Sequence, residues 1–137
     1  MPITLDRRPD ERLVVFSHIG EVSDDEMLAF YRDFLDDPGS AGYLMLLIHL
    51  DQTRSTGRSS EALRSLAGLF EEKFGDVTVK RRVAVVAPAD HSFGLARMYE
   101  ALSARVPWEF RVFRDGDAAL AWLGDDVNTD GPDAPGS

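Results

Sequence analysis

The sequence predicts one α/β domain: a mostly parallel sheet of five strands with an antiparallel N-terminal strand, covered by about four helices. After an opening pair of strand-like segments, short apolar runs alternate with segments of helical periodicity, as parallel strands joined by crossover helices require. The unbroken apolar run at residues 83–87 is typical of a central strand covered on both faces. The length of 137 residues, with 44% apolar content, suffices for one substantial core.

The opening strands are predicted at residues 3–7 and 12–19. The first segment alternates apolar and polar residues, and the second is β-branched and apolar. Residues 8–11 between them have the chemistry of a turn. An antiparallel hairpin therefore begins the chain.

The first helix is predicted to begin after Ser23, because Ser23 and Glu26 match a capping box that satisfies two free amides of the first turn. The Asp-Asp-Pro-Gly segment at residues 36–39 ends the helix. Apolar residues recur at the helical period and indicate one buried face. That face consists of Met27, Phe30, Tyr31, Phe34 and Leu35.

The third strand is predicted at residues 43–50, where an apolar run reaches Asp51 and ends. A second amphipathic helix follows, capped by Ser59 or Ser60 and terminated at Gly75. Its buried face consists of Leu63, Leu66, Ala67, Phe70 and Phe74.

A third helix is predicted to be capped by Asp90 or Ser92 and to carry a buried face as far as Val106, with Pro107 closing it.

Residues 110–113 alternate like a half-exposed edge strand, and Asp115 caps a last helix. Arg111 and Arg114 would protect this edge from open-ended pairing or help to close a symmetric homodimer.

Composition excludes several functional classes. The net charge of −9 disfavours a nucleic-acid surface, which needs clustered cations, and the absence of cysteine removes disulfides and thiolate chemistry. No apolar run reaches the roughly 20 residues that cross a bilayer, and the start lacks an export pattern, so we expect a cytoplasmic protein. We expect residues 1–123 to form the domain and the acidic, Gly/Pro-rich residues 124–137 to be a disordered tail.

Three features together resemble the SpoIIAA-like proteins of the STAS superfamily, the fold of anti-sigma-factor antagonists. They are the ββαβαβαβα order, the acidic Asp51 closing the third strand, and the final stretch Phe-Arg-Asp-Gly-Asp-Ala-Ala-Leu-Ala-Trp-Leu at residues 113–123. The resemblance spans about residues 3–123. It implies a non-enzymatic regulatory or protein-interaction module with a protein partner.

The resemblance also implies a phosphoacceptor. In the antagonists a serine at the start of the second helix is phosphorylated within an Asp-Ser-Ser-Gly-Leu pattern, and aligning Asp51 with the strand-end aspartate places Ser60 on that serine. Leu63 also matches, whereas Ser59, Glu61 and Ala62 replace the other three residues of the pattern. The alternative for the two serines is helix capping.

Two loops at the carboxyl edge of the sheet are candidate ligand or partner sites, because strand carboxyl ends and helix amino ends are where α/β proteins bind. Hydroxyls, arginines and a glycine in the first loop favour an anion or a partner, against the alternative of a merely polar loop. Phe93 in the second would be a partner contact if exposed and a core residue if buried. The candidates are Asp51, Thr53, Arg54, Ser55, Thr56, Arg58, Ser59, Asp90, His91 and Phe93.

The histidines do not form a metal-binding pattern by spacing alone, and we predict no metal or other cofactor. His18 and His49 fall in predicted strands, and His91 lies near the start of the third helix. His49, Asp51 and His91 would converge only if their strand ends met, which is the basis of a third hypothesis, a hydrolase.

The preferred interpretation is therefore a non-enzymatic STAS-like module. The alternative is a carrier of a small ligand or lipid in a cavity between sheet and helices, as in related lipid-transfer domains with a similar sheet.

Overall fold

The computed structural model describes residues 3–53, 59–76 and 78–128, with backbone only for residues 51–53 and 125–128. Five strands form one sheet in the order β1-β2-β3-β4-β5, with β1 antiparallel to β2 and the other pairs parallel. The strands are β1 Ile3–Arg8, β2 Leu13–Gly20, β3 Met45–Thr53, β4 Arg81–Val86 and β5 Trp108–Phe113. The helices are α1 Asp24–Asp36, α2 Ser60–Phe74, α3 Asp90–Leu102 and α4 Gly116–Asn128. This confirms the predicted fold class.

The two faces of the sheet are covered unequally. The larger core lies under α1, α2 and α3, where Phe16, Leu46 and Val83 point from three successive strands. A smaller core on the other face lies under α4 alone and includes Leu47 and Ala84. Consecutive right-handed crossovers between neighbouring strands place all three connecting helices on one side, which explains the asymmetry.

Three predicted helix starts are confirmed by side-chain caps. Ser23 accepts a hydrogen bond from the Glu26 amide at 3.1 Å, and the Glu26 carboxylate accepts one from the Ser23 amide at 2.9 Å. Ser59 caps α2, and Asp115 accepts from the Ala118 amide at 3.3 Å. Local sequence therefore determines where these helices begin.

The third helix differs from its prediction at both ends. Its N-cap is Ala89, which makes no side-chain capping hydrogen bond, so neither Asp90 nor Ser92 caps it. It ends at Leu102, because Ser103 begins a turn in which the Val106 amide donates to the Ser103 carbonyl at 3.0 Å. Val106 lies in this turn and is buried there. Its position in the sequence therefore continued the helical spacing of apolar residues although the helix had already ended.

The third strand does not end at Asp51 but continues to Thr53. Pairing with β4 stops at His49, whereas pairing with β2 resumes beyond a register shift and joins Gly20 to Thr53. Pairing with the neighbouring strand β2 therefore extends β3 by two residues, Gln52 and Thr53, beyond Asp51.

The last helix runs to Asn128, so the first five residues of the predicted tail, 124–128, are helical. Residues 129–137 lie outside the described part of the chain, and their disorder remains a prediction. Within the described residues, no helix has the length and apolarity needed to cross a membrane.

Candidate functional site

The start of α2 lies at the predicted edge of the sheet. Ser59 is exposed, and its hydroxyl accepts a hydrogen bond from the Ala62 amide at 3.0 Å while donating one to the Asp24 carboxylate at 3.1 Å. This second bond ties the starts of α1 and α2 together. The Ser59 hydroxyl is therefore used by the fold.

Ser60 is the first residue of α2 and is exposed. A dianion at this position would gain from the free amides and the dipole of a helix start. The exposed Glu61 carboxylate beside it would oppose the added charge. Ser60 is therefore accessible to a modifying enzyme or a partner. The helix start would favour a negative charge on Ser60, and the Glu61 carboxylate would oppose it.

The remaining candidates of the first loop are only partly described. Asp51 and Thr53 belong to β3, but their side chains lie outside the described part of the structure. Arg54, Ser55, Thr56 and Arg58 lie outside the described residues altogether. Their roles stay predictions from sequence.

Arg114, the residue after β5, lies at the centre of a cluster with the candidate residues Asp90 and Phe93 of the second loop. Its guanidinium donates to the Asp90 carboxylate at 2.7 Å and to the Pro88 carbonyl at 3.1 Å. It also lies 4.2 Å from the centroid of the Phe93 ring, in a cation–π arrangement. Phe93 is half-buried and packs against the main core, so much of its surface is already covered.

The histidines occupy different surroundings. His49 is half-buried on the α4 face, under the start of α4 near Gly116. His91 is exposed at the second residue of α3, on the side of the other helices. Among the described residues, no group of three histidine or acidic side chains could hold a metal ion.

A cavity that the sequence did not locate lies between the sheet and helices α1 to α3. Its volume is about 100 Å³. Ile48, Val85 and Phe110 form its floor. Leu66 of α2 and Leu95 of α3 are among the apolar side chains that enclose it. An apolar cavity with a few polar groups is the usual form of a small-molecule site.

His18, Tyr31 and Tyr99 each bring a polar aromatic group to the lining. His18 and Tyr31, both buried, share a hydrogen bond of 2.8 Å between the imidazole Nε2 and the phenol oxygen. Tyr99 is 7% exposed, and its hydroxyl has no hydrogen-bond partner among the described residues. Burial, together with the nearby Tyr31, raises the pKa of Tyr99 well above its ordinary value of 10.0, so the phenol is neutral at physiological pH.

Sequence reasoning predicted buried faces for the two helices that carry these tyrosines, but it did not locate the cavity. Tyr31 and Tyr99 fit the helical spacing of buried residues, which carries no information about the partner of a hydroxyl. His18, which falls in a predicted strand, lies in the core. The position of β2 in the register, with His18 opposite Ile3, directs it to the cavity side.

The fold is similar to those of two solved structures. An uncharacterised Shewanella loihica protein of the DUF3478 family, with a SpoIIAA-like fold, is 21% identical, with a TM-score of 0.52 over 88% of this chain and 91% of that one. An anti-sigma factor antagonist from Mycobacterium paratuberculosis is 19% identical, with a TM-score of 0.54 over 89% of this chain and 94% of that one. Neither the protein-family models nor the curated proteins gave a match. The chain therefore has the SpoIIAA-like α/β fold that its sequence resemblance predicted.

Proposed function

We propose that the protein is a non-enzymatic regulatory module that acts in the cytoplasm by binding a protein partner. The observation that carries this proposal is the exposed start of α2, where Ser60 is accessible and Ser59 is held by its capping bonds. Similarity to a mycobacterial anti-sigma factor antagonist supports the same class of function.

The proposed docking surface joins the start of α2 to the start of α3. Ser59, Ser60, Asp90 and His91 are all exposed, and they lie at the carboxyl edge of the sheet. Arg114 orients Asp90 through their 2.7 Å ion pair. A partner contacting this edge would meet hydroxyl, carboxylate and imidazole groups.

Phosphorylation of Ser60 is the proposed control. A phosphate there would interact with the helix dipole and, in this proposal, with Arg54 or Arg58 of the preceding loop. Because Asp24 and Glu61 add like charges nearby, the modified site would present a strongly negative surface to the partner.

The test compares capture of partners from an extract of the source cells by wild-type, Ser60→Ala and Ser60→Asp proteins, quantified by mass spectrometry. Ser60→Asp should change retention of a specific partner while leaving the thermal melting curve close to that of the wild type. Ser65→Asp is the matched control, because it places the same charge on an exposed position of the same helix. Equal retention by the Ser60→Asp and wild-type proteins would contradict the proposal.

A second candidate function is carriage of a small apolar ligand, and the cavity under α2 and α3 favours it. Native mass spectrometry of gently purified protein should then show a bound molecule. Ala96 is buried and lines the cavity, so Ala96→Leu should fill the space and remove that mass. Recovery of bare wild-type protein only would count against carriage.

A homodimer through the edge strand β5 is the remaining part of the proposal. Arg111 lies 5.7 Å from the Trp122 ring on one face of this strand, and β5 has a free edge in the sheet order. Sedimentation at several protein concentrations should show a monomer–dimer equilibrium, and a single monomeric species throughout would contradict dimerisation.

A further inference from the structure

The buried hydroxyl of Tyr99 is the feature of the cavity that its packing role does not explain. Leaving a buried polar group without a partner costs about 1–3 kcal/mol, so most such groups are paired. Phenylalanine would fill the same space without that cost. A ligand bearing one hydrogen-bonding group would supply the partner.

The other lining residues define the rest of the ligand. Among the described residues that line the cavity, none is Lys, Arg, Asp or Glu, so no permanently charged side chain there would pair with an ionic ligand. A charged ligand would therefore lose its hydration without compensation. The His18 and Tyr31 rings already bond to each other at 2.8 Å, whereas the Tyr99 hydroxyl is paired with none of the residues that the structure describes and can both donate and accept.

Size sets a further limit. The cavity of about 100 Å³ is smaller than the apolar cavity of roughly 150 Å³ that accepts benzene in another protein. A single small ring would fit with slight outward movement of α2 or α3. Larger ligands would have to extend out of the cavity, which is partly open to solvent.

We propose that this cavity binds a neutral, mostly apolar small molecule that carries one hydroxyl or carbonyl group, and that the Tyr99 hydroxyl hydrogen-bonds to that group. The inference rests on the carrier function proposed above and specifies the chemistry that the carrier recognises. Tyr99 is the polar anchor, and Leu66, Leu95 and Phe110 supply apolar contacts.

The test uses three fluorinated probes with one ring each, 4-fluorophenol, fluorobenzene and 4-fluorobenzoate, titrated with the full-length protein and followed by ¹⁹F NMR. The wild type should bind 4-fluorophenol roughly two- to tenfold more tightly than fluorobenzene, as one hydrogen bond predicts. Binding of 4-fluorobenzoate should be weaker than that of either neutral probe.

Variants then assign the preference to the cavity and to Tyr99. Tyr99→Phe should bind both neutral probes with similar affinity. Tyr43→Phe changes a buried tyrosine that does not line the cavity, so it should keep the wild-type preference. Ala96→Leu should abolish binding of both neutral probes.

The outcomes distinguish the role of Tyr99 as polar anchor from the carrier function of the cavity. Equal affinities of the wild type for 4-fluorophenol and fluorobenzene, or a preference that survives Tyr99→Phe, would refute the role of Tyr99 but leave carriage standing. Benzoate binding as tight as that of the phenol would refute a neutral ligand. Failure of every probe to bind the wild type, or binding that Ala96→Leu leaves unchanged, would overturn the anchor and the cavity site together.

Discussion

The start of β4 and the cavity beneath α2 and α3 bury polar side chains in different ways. Arg81, at 5% exposure, donates from its guanidinium to the carbonyls of Tyr43 at 3.1 Å and Ala41 at 3.0 Å. It also lies 3.9 Å from the centroid of the Phe74 ring. Tyr99 is equally well buried, yet its hydroxyl has no partner among the described residues. The paired Arg81 stabilises the fold, whereas the unpaired Tyr99 hydroxyl is the proposed anchor for a ligand.

The electrostatics of the two positions follow from the same burial. Burial lowers the pKa of Arg81, although the Asp76 carboxylate acts in the opposite direction. Burial raises the pKa of Tyr99. In each case the neutral form is favoured, but the arginine stays charged and its donors are matched to carbonyl oxygens.

The largest predicted effect breaks the paired site. Arg81→Ala should lower the free energy of unfolding by about 2–4 kcal/mol, because two charge-assisted hydrogen bonds and a buried cation–π contact are lost. Denaturant titration would measure the change, with the exposed neighbour Lys80→Ala as control. A loss of unfolding free energy no greater than that of the control would show that the Arg81 side chain does not stabilise the protein at β4.

The unpaired site should respond with the opposite sign. Tyr99→Phe should raise the free energy of unfolding by about 1–2 kcal/mol, because it removes a desolvated hydroxyl without changing packing. Tyr31→Phe should instead destabilise the protein by roughly 1 kcal/mol, because its hydroxyl bonds to His18. Destabilisation by Tyr99→Phe would mean that this hydroxyl contributes to the fold.

The pH dependence of Tyr99 gives a related check. Because the pKa of Tyr99 is raised above 10.0 in the folded protein, the unfolded chain loses this proton at a lower pH than the folded protein does, so ionisation of Tyr99 lowers stability as the pH rises through 10.0 towards the folded pKa. The Tyr99→Phe protein should therefore lose less stability than the wild type in alkaline melts.

Removing a hydrogen-bonded group at the surface should lower the free energy of unfolding less than removing Arg81 does. Ser59→Ala should cost about 1 kcal/mol of stability, since it removes the α2 cap and the bond to Asp24. Ser60→Ala, which leaves the cap in place, should stay within about 0.5 kcal/mol of the wild type. Similar losses in the two variants would indicate that the cap is not restricted to Ser59.

The smallest effect is expected at the exposed Asp76. Hydrogen bonds from the Thr78 hydroxyl at 2.7 Å and amide at 2.9 Å lower its pKa below the ordinary 3.8. The resulting stabilisation is present above pH 3.8 and is lost as the pH falls through the folded pKa. Asp76→Asn should therefore differ from the wild type at pH 7 and converge with it at the acid end, with Thr78→Val giving an intermediate difference.

Much of the fold could be predicted because its signals are local. Ser23, Asp115 and one of the pair Ser59 and Ser60 are predicted helix caps, and Ser23, Ser59 and Asp115 make the expected hydrogen bonds. The candidate site was harder to predict from the sequence, because the hydrogen-bond partner of a hydroxyl depends on elements that are distant in sequence. Arg81 illustrates this, since a cationic Lys-Arg-Arg segment such as residues 80–82 is typical of a solvated surface, whereas Arg81 is buried.

By itself, the sequence determined the number, type and order of the strands and helices, because hydrophobic period, caps and turns act over a few neighbouring residues. Only the tertiary structure decided that β3 continues past Asp51 and that, within the described part of the chain, α4 alone covers one face and the Tyr99 hydroxyl in the cavity has no partner. The physical reason is that strand register and helix packing join residues far apart in the chain, and the environment of each polar group follows from those contacts.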